Sequence, residues 1–163
     1  MRKLALLLGV LLIFSIVLVG CGGNDDPVDK TDNGDSQVVE YKDGTYFASQ
    51  DSFDEKTGWK YEVTVNVEDS KIVEVSWTAT HKDGGTDKKT RSEDGEYGMV
   101  EKSNAQWPWH EQAQKVEEYL VETQDPTDIE YIDNEGRTDA ISGASIKVKE
   151  FFELAEEALE GAK

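Results

Sequence analysis

Two segments in the middle of the chain alternate apolar and polar side chains with the period of a β-strand. In residues 59–67 the apolar face consists of Trp59, Tyr61, Val63, Val65 and Val67. In residues 72–79 it consists of Val73, Val75, Trp77 and Ala79. The polar residues 68–71 between them predict a tight turn, so the pattern predicts a β-hairpin with one buried face. A shorter run, residues 45–48, follows an Asp-Gly pair and predicts one more strand.

Two later segments repeat apolar residues at helical spacing. The first stripe follows Pro108, a residue favoured at helix starts, and comprises Trp109, Ala113, Val116 and Leu120. The second comprises Val148, Phe151, Phe152, Ala155, Ala158 and Leu159. The opposite, water-facing side of this last helix carries Lys149, Glu153, Glu156, Glu157 and Glu160. Ser142 is the expected N-cap residue of the last helix, because a serine hydroxyl accepts hydrogen bonds from the first N–H groups.

The order of these elements predicts the fold class. Residues 83–99 are polar and rich in glycine, which predicts a long surface loop, and residues 129–132 predict one more short strand. The pattern as a whole is typical of an α+β domain, in which an antiparallel sheet with a long hairpin is packed by two helices.

The N-terminal 40 residues differ in composition from the rest of the chain. Arg2 and Lys3 precede an apolar run at residues 4–19, which predicts a signal peptide over residues 1–20; a single uncleaved anchor helix is the alternative. Residues 21–40 contain few apolar side chains and predict a flexible acidic tether, leaving residues 41–163 for one domain. Cys21 is the only cysteine, so no disulfide can form within the chain.

The net charge of the chain limits the kinds of molecule that it is expected to bind. Asp and Glu number 35 against 17 Lys and Arg, for a net charge of −18. Such an acidic surface repels nucleic acid, and we expect no nucleic-acid partner. It also repels anionic lipid, which suits a protein that is held at a membrane by acyl chains.

A segment of small and polar residues, Asp-Ala-Ile-Ser-Gly-Ala-Ser at 139–145, leads into the last helix. Gly143 and Ala144 allow another group to approach the backbone closely. The hydroxyl of Ser145 is expected near the positive end of the helix dipole, which favours a phosphate. On these residues alone, a purely structural helix cap is the favoured explanation of the serines.

This segment resembles the flavinylation motif Asp-x-x-(Ser/Thr)-Gly-Ala-(Ser/Thr) of FMN-binding domain proteins. That family includes a subunit of sodium-pumping quinone reductases, the related Rnf subunit and flavin-bearing lipoproteins of Gram-positive bacteria. The resemblance implies an FMN-binding-domain fold over residues 41–163 and a single FMN. The FMN would be joined to Ser145 through a phosphodiester made by a separate flavin transferase. Asp139, Ser142, Gly143 and Ala144 would be the recognition context.

The chain departs from the commonest form of the motif at two positions. The acceptor is serine rather than threonine, and Lys147 stands where many members carry another hydroxyl, which puts a cation near the phosphodiester. Further segments resemble the flavin-lipoprotein branch of the family, at residues 43–46, 53–54, 58–60, 81–84 and 92–94.

Aromatic residues near the predicted loop are candidates for contact with a flavin ring, because a flat isoalloxazine suits stacking. We expect Tyr97 and Trp107 to take this role. Trp109 is the third candidate, but its position in the helical stripe favours a place in the core.

The sequence Leu-Val-Gly-Cys at residues 18–21 resembles the bacterial lipobox. The resemblance implies cleavage before Cys21 and acylation of this residue with chains such as palmitate, at the extracellular face of the cytoplasmic membrane. Residues 13–20 also resemble an enterococcal sex-pheromone octapeptide, which is released from lipoprotein signal peptides.

Together these features predict a lipid-anchored flavoprotein that carries electrons and is not itself a catalyst. A membrane quinol or dehydrogenase system would supply the electrons, and the acidic surroundings would disfavour the anionic reduced flavin. A non-redox surface lipoprotein, with a ligand-binding or adhesion role, is the alternative, and a pheromone precursor is a third hypothesis.

Overall fold

Three antiparallel strands form the sheet on which the rest of the domain packs. They are β1 (Gly44–Ser49), β2 (Trp59–Glu68) and β3 (Lys71–His81), in the order β1-β2-β3. The computed structural model describes residues 40–163. The predicted signal peptide, Cys21 and residues 21–39 of the predicted tether lie outside the described residues. Of the residues described, no helix combines the length and apolar character needed to cross a bilayer.

Four helices follow the sheet. They are α1 (Lys88–Glu93), α2 (Met99–Lys102), α3 (Trp109–Thr123) and α4 (Lys149–Glu160). The two long helices bury the stripes predicted from their sequences: α3 packs against β3, and α4 packs against β1 and β2. The predicted α+β class, with an antiparallel hairpin sheet packed by two helices, is confirmed.

The β2–β3 hairpin follows the predicted alternation except at one residue. Val67 pairs with Ile72 and Asn66 pairs with Glu74, so Val73 is the extra residue of a β-bulge. The bulge reverses the side-chain alternation beyond it: Ile72 is buried, whereas Val73 is 45% exposed. The prediction that Val73 faces the core was therefore wrong.

A two-residue turn closes this hairpin. Asp69 and Ser70 both have positive φ, of 50° and 62°, as a twisted two-residue connection requires. The N–H of Ser70 donates to Oδ1 of Asp43 at 2.9 Å, which ties the turn to the residue just before β1.

The free edge of β3 is covered by side chains of α3. The N–H of Trp77 donates to Oε1 of Glu117 at 2.6 Å. Gln124 accepts from the N–H of Ile72 and donates to its carbonyl, both at 2.8 Å. These bonds satisfy backbone groups that an exposed edge strand would leave unpaired.

Two predicted elements are corrected by the structure. Residues 83–99 are not one long loop, because they contain α1. The side chain of Asp87 caps α1 by accepting from the N–H groups of Lys89 and Thr90 at 3.0 and 3.2 Å. Residues 129–132 form no strand, since the sheet of the described residues has three strands and ends at β3.

The start of α4 also differs from the prediction. The helix begins at Lys149, and its N-cap position is Val148, so Ser142 is not its cap. The N–H groups of Val148 and Lys149 donate to the carbonyl of Gly136 at 2.8 and 3.3 Å. The dipole end that the sequence predicts beside Ser145 is thus occupied by a backbone carbonyl of the preceding loop.

Candidate functional site

The loop from Gln124 to Val148 brings the 139–145 segment against α3 and depends on glycine at two positions. Gly136 has φ of +81°, and a Cβ there would lie 2.3 Å from Cβ of Lys149. Gly143 has φ of +85°, and a Cβ there would lie 2.9 Å from Cε of Lys115. Both positions favour glycine, because positive φ strains other residues and the space is already filled.

A buried amide fixes Ser145. The N–H and the Oγ–H of Ser145 both donate to Oε1 of Gln112, at 2.8 and 3.0 Å. Gln112 lies on α3 and is 1% exposed, and its Nε2 donates to the carbonyl of Trp107 at 2.8 Å. The hydroxyl of Ser145 is therefore oriented by a residue that packing holds in place, while Ser145 itself remains exposed.

Ser145 lines a cleft of about 310 Å³ between the sheet, α1, α3 and the start of α4. A cleft of this size is at the lower end of the range for small-molecule sites. Its walls are Tyr61, Lys88, Tyr97, Met99, Trp109, Arg137, Ser145, Ile146, Lys147 and Glu150. Aromatic and aliphatic groups thus share the cleft with three cations and one carboxylate.

Lys88 is the buried cation of this cleft, with 3% of its surface exposed. Its Nζ lies 4.6 to 5.8 Å from the ring centroids of Tyr61, Trp109, Tyr97 and Trp59. It also donates a hydrogen bond to the hydroxyl of Tyr61. The amine is therefore held among π faces, which attract a positive charge.

Burial changes the protonation of this cluster. Loss of hydration lowers the pKa of Lys88 from 10.5 to about 7, although the nearby Glu150 carboxylate opposes the shift. Burial raises the pKa values of Tyr61 and Tyr97, so both phenols stay protonated at neutral pH. Lys88 is thus poised to change charge near neutrality.

The other two cations of the cleft are paired. Arg137 contacts Asp133 and Glu135 at 2.9 and 2.7 Å, and Lys147 lies 3.5 Å from Glu135. Both side chains are about half exposed. Both line the cleft together with the exposed Ser145.

The structure brings together only some of the residues predicted for the site. Ser145, Tyr97 and Lys147 line the cleft, and Trp109 contributes to its wall while lying in the core at 2% exposure. Trp107 is 41% exposed and does not line the cleft. Asp139, Ser142, Gly143 and Ala144 form the turn before Ser145 and also lie outside the cleft lining.

Several residues of the site were missed by the sequence reasoning. Gln112 carried a signal, because it is a polar residue three positions after Trp109, on the apolar stripe of α3. The helix that holds Lys88 also carried one, since Asp87 begins a run of helix-forming residues. The burial of Lys88 had none, because its cage is made by residues from β2, α3 and a loop.

The comparison with known families identifies the domain. The profile of the FMN-binding domain family matches residues 58–160, which include every residue of the cleft. The chain belongs to this family. It is accordingly a flavin-binding protein, and FMN is the cofactor that the family implies.

Two solved structures share the FMN-binding domain fold. A solution NMR structure from Clostridium thermocellum is 63% identical, with a TM-score of 0.58, and the match covers 74% of this chain and 91% of that one. A crystal structure of a Clostridium perfringens protein is 24% identical, with a TM-score of 0.57, covering 75% and 88% respectively. The second match shows the fold alone. No curated protein matches the chain.

The residues of the cleft fit the chemistry of FMN. Tyr61, Tyr97 and Trp109 offer aromatic surface of the kind that suits a flat ring. Arg137 and Lys147 offer charge to a phosphate. The buried amine of Lys88 has no carboxylate within 4.0 Å among the described residues, so it can serve an anionic ligand group.

Proposed function

We propose that this chain is a membrane-anchored extracellular flavoprotein that carries FMN covalently on Ser145 and acts as an electron carrier. The observation that carries the proposal is the position of Ser145, an exposed residue that lines the aromatic, cationic cleft. The flavin supplies the redox chemistry when bound, since its ring accepts electrons and protons, and the protein supplies attachment, orientation and electrostatics.

The proposed attachment needs a nucleophilic oxygen that a modifying enzyme can reach. In the proposed transfer from FAD, the Ser145 oxygen bonds to the phosphorus on the flavin side and the pyrophosphate bond breaks. AMP leaves, and the hydroxyl proton passes to a base of the transferase. Gln112 supports this step by fixing the direction of the Ser145 hydroxyl. Arg137 and Lys147 support it by placing positive charge beside the new phosphodiester.

The proposed setting explains the value of a covalent link. Outside the cell, a flavin held only by reversible contacts would be lost by dilution. We propose that Cys21 carries the lipid anchor and that a membrane quinol or dehydrogenase system donates the electrons. The protein itself would be a substrate of the flavin transferase and a carrier rather than a catalyst.

The test is intact-mass measurement on protein matured together with a flavin transferase. We expect one FMN per wild-type chain and none on Ser145→Ala, because Ser145 is the one serine or threonine in the lining of the cleft. Ser76→Ala, at an exposed serine of β3, is the matched control and should remain fully loaded, since Ser76 lies outside both the cleft and the 139–145 segment. Gln112→Leu should load more slowly, because the hydroxyl of Ser145 loses its acceptor.

Two results would contradict the proposal. One is a wild-type mass equal to polypeptide plus lipid after exposure to an active transferase. The other is a flavin that persists on Ser145→Ala, which would move the attachment to another residue.

A further inference from the structure

Lys88 differs from the other cations of the cleft in having no anionic partner. Arg137 and Lys147 contact carboxylates at 2.7 to 3.5 Å. Lys88 is enclosed by rings and by the Tyr61 hydroxyl, and no carboxylate of residues 40–163 lies within 4.0 Å of it. A buried ammonium without an anion in contact is costly, so the charged form of Lys88 would gain from an anionic ligand group in the cleft.

Three rings of the cage also line the cleft, as Lys88 itself does. Tyr61, Tyr97 and Trp109 surround Nζ at 4.6 to 4.9 Å, and all three also line the cleft that contains Ser145. A ligand group that enters the cleft and reaches Lys88 is therefore stacked among aromatic rings. A flat ring that becomes negatively charged fits this position better than a hydrated phosphate does, because Lys88 is buried and the phosphate-bearing Ser145 is exposed.

We propose that Lys88 is the internal counter-charge of the reduced flavin ring and takes up a proton when the ring is reduced. This inference rests on the proposed function, because it requires a flavin in the cleft. It also reverses the expectation that the acidic protein disfavours the anionic reduced flavin, since the charge nearest the ring is positive.

The proposed step balances as follows. An external donor gives two electrons to the ring, which binds one proton and gains one negative charge. The neutral amine of Lys88 binds a second proton and becomes an ammonium ion beside that charge. Reduction thus consumes two electrons and two protons, whereas a ring without Lys88 consumes two electrons and one proton.

Lys88 changes its protonation near neutral pH, whereas the tyrosines that surround it do not. Tyr61 on β2 and Tyr97 in the loop after α1 remain protonated, because burial raises both pKa values. Glu150 on α4 lines the same cleft and favours the charged amine. Arg137 and Lys147 line the same cleft and are paired with carboxylates. Because the pKa of Lys88 is lowered to about 7, the amine can bind or release a proton near neutral pH.

The experiment is a measurement of flavin midpoint potential against pH from 7.5 to 9, on protein shown by intact mass to carry one FMN. The wild type should take up two protons per two electrons. Lys88→Met should take up one, and its reduction equilibrium should shift at least tenfold toward the oxidised form, about 30 mV for a two-electron couple.

A second variant separates charge from proton exchange. Lys88→Arg keeps a permanent positive charge, so we expect the wild-type potential near pH 7.5 but only one proton per two electrons. Lys71→Met, an exposed lysine at the start of β3, is the matched control and should keep both wild-type values. A Lys88→Met protein with unchanged potential and unchanged proton uptake would overturn the proposal.

The failure of the proposed function is distinguishable from the failure of this inference. If intact mass shows no covalent flavin, free FMN is titrated into the unmodified protein while the Lys88 amine is followed by ¹⁵N NMR. A shift of this amine resonance, absent for the amine of Lys71, supports contact with the ring. An unchanged Lys88 resonance at saturating FMN overturns it.

Discussion

Lys88 and Lys89 are neighbours in the chain, yet α1 places them in opposite electrostatic surroundings. On one side of the helix, Lys88 lies among aromatic rings, and no carboxylate of residues 40–163 lies within 4.0 Å of its amine. On the other side, Lys89 lies 2.9 Å from both carboxylate oxygens of the buried Glu117. Glu117 in turn accepts from the N–H of Trp77.

The difference shows how one residue type can serve structure on one side of a helix and be free for chemistry on the other. Lys89 is not available to a ligand, because its charge compensates the carboxylate of Glu117, which holds α3 against β3. Lys88 makes no such compensation, so its charge is open to a ligand. The buried pair holds α3 against β3, whereas Lys88 is the cation to which we assign a role toward the flavin.

The largest expected effect comes from removing the paired lysine. Lys89→Met should lower the free energy of unfolding by about 3 kcal/mol, because Glu117 would remain buried and charged without a cation. Chemical denaturation measures the change. Lys71→Met is the exposed control, for which we expect less than about 0.5 kcal/mol. Equal losses in the two variants would remove the distinction between the two sides of α1.

The next effect concerns the unpaired lysine and depends on pH. The amine of Lys88 has a pKa of about 7 in the folded protein and 10.5 as its ordinary value, so between these values the unfolded chain binds more protons. Stability that depends on this group therefore rises with pH in this window. From pH 7 to pH 9 the ligand-free wild type should gain about 2 kcal/mol relative to Lys88→Met.

Denaturation curves of the two proteins at several pH values measure this gain. The window ends below the range in which the tyrosines ionise, because burial raises the pKa values of Tyr61 and Tyr97. A wild-type curve parallel to that of Lys88→Met between pH 7 and pH 9 would show that the amine is hydrated in the folded protein.

The smallest expected effect is the difference in stability between variants of two predicted or observed helix caps. Asp87→Ala should lower stability by about 1 kcal/mol, because α1 loses its cap and Thr78 on β3 loses a hydrogen-bond partner. Ser142→Ala should change stability by less than about 0.5 kcal/mol, because Ser142 does not cap α4. Thermal unfolding of the two variants measures the contrast, which would be lost if Ser142→Ala proved the more damaging.

The parts of the fold that the sequence predicted are those governed by local periodicity. Alternation with period two located β2 and β3, and the helical stripes located α3 and the buried face of α4. The side of Val73 could not be predicted, because the bulge arises from the pairing of β3 with β2 and leaves no mark in the alternation. The cap of α4 was misassigned because the carbonyl of Gly136 accepts from the N–H groups of Val148 and Lys149, which a serine side chain was expected to bind.

The site shows the same division between local and distant causes. Ser145 was proposed as a site residue from its neighbours in sequence. Lys88, which lines the same cleft, was not. Lys88 acquires its properties from rings at positions 59, 61, 97 and 109, which only the folded chain brings together. Gln112 and Glu117 lie between these cases, because each is a polar residue on an otherwise apolar helical face and each is satisfied by a backbone N–H.

The two hydrogen bonds between Gln112 and Ser145 bear on how the loop would be held before and after the proposed attachment of the flavin. The proposed esterification of the serine oxygen would remove its hydrogen and with it one of the two bonds to the amide oxygen. The backbone N–H keeps the other bond, because the reaction does not alter the peptide group. The loop could therefore hold the same position before and after the proposed modification, and the amide that orients the hydroxyl would also hold the proposed linkage in place.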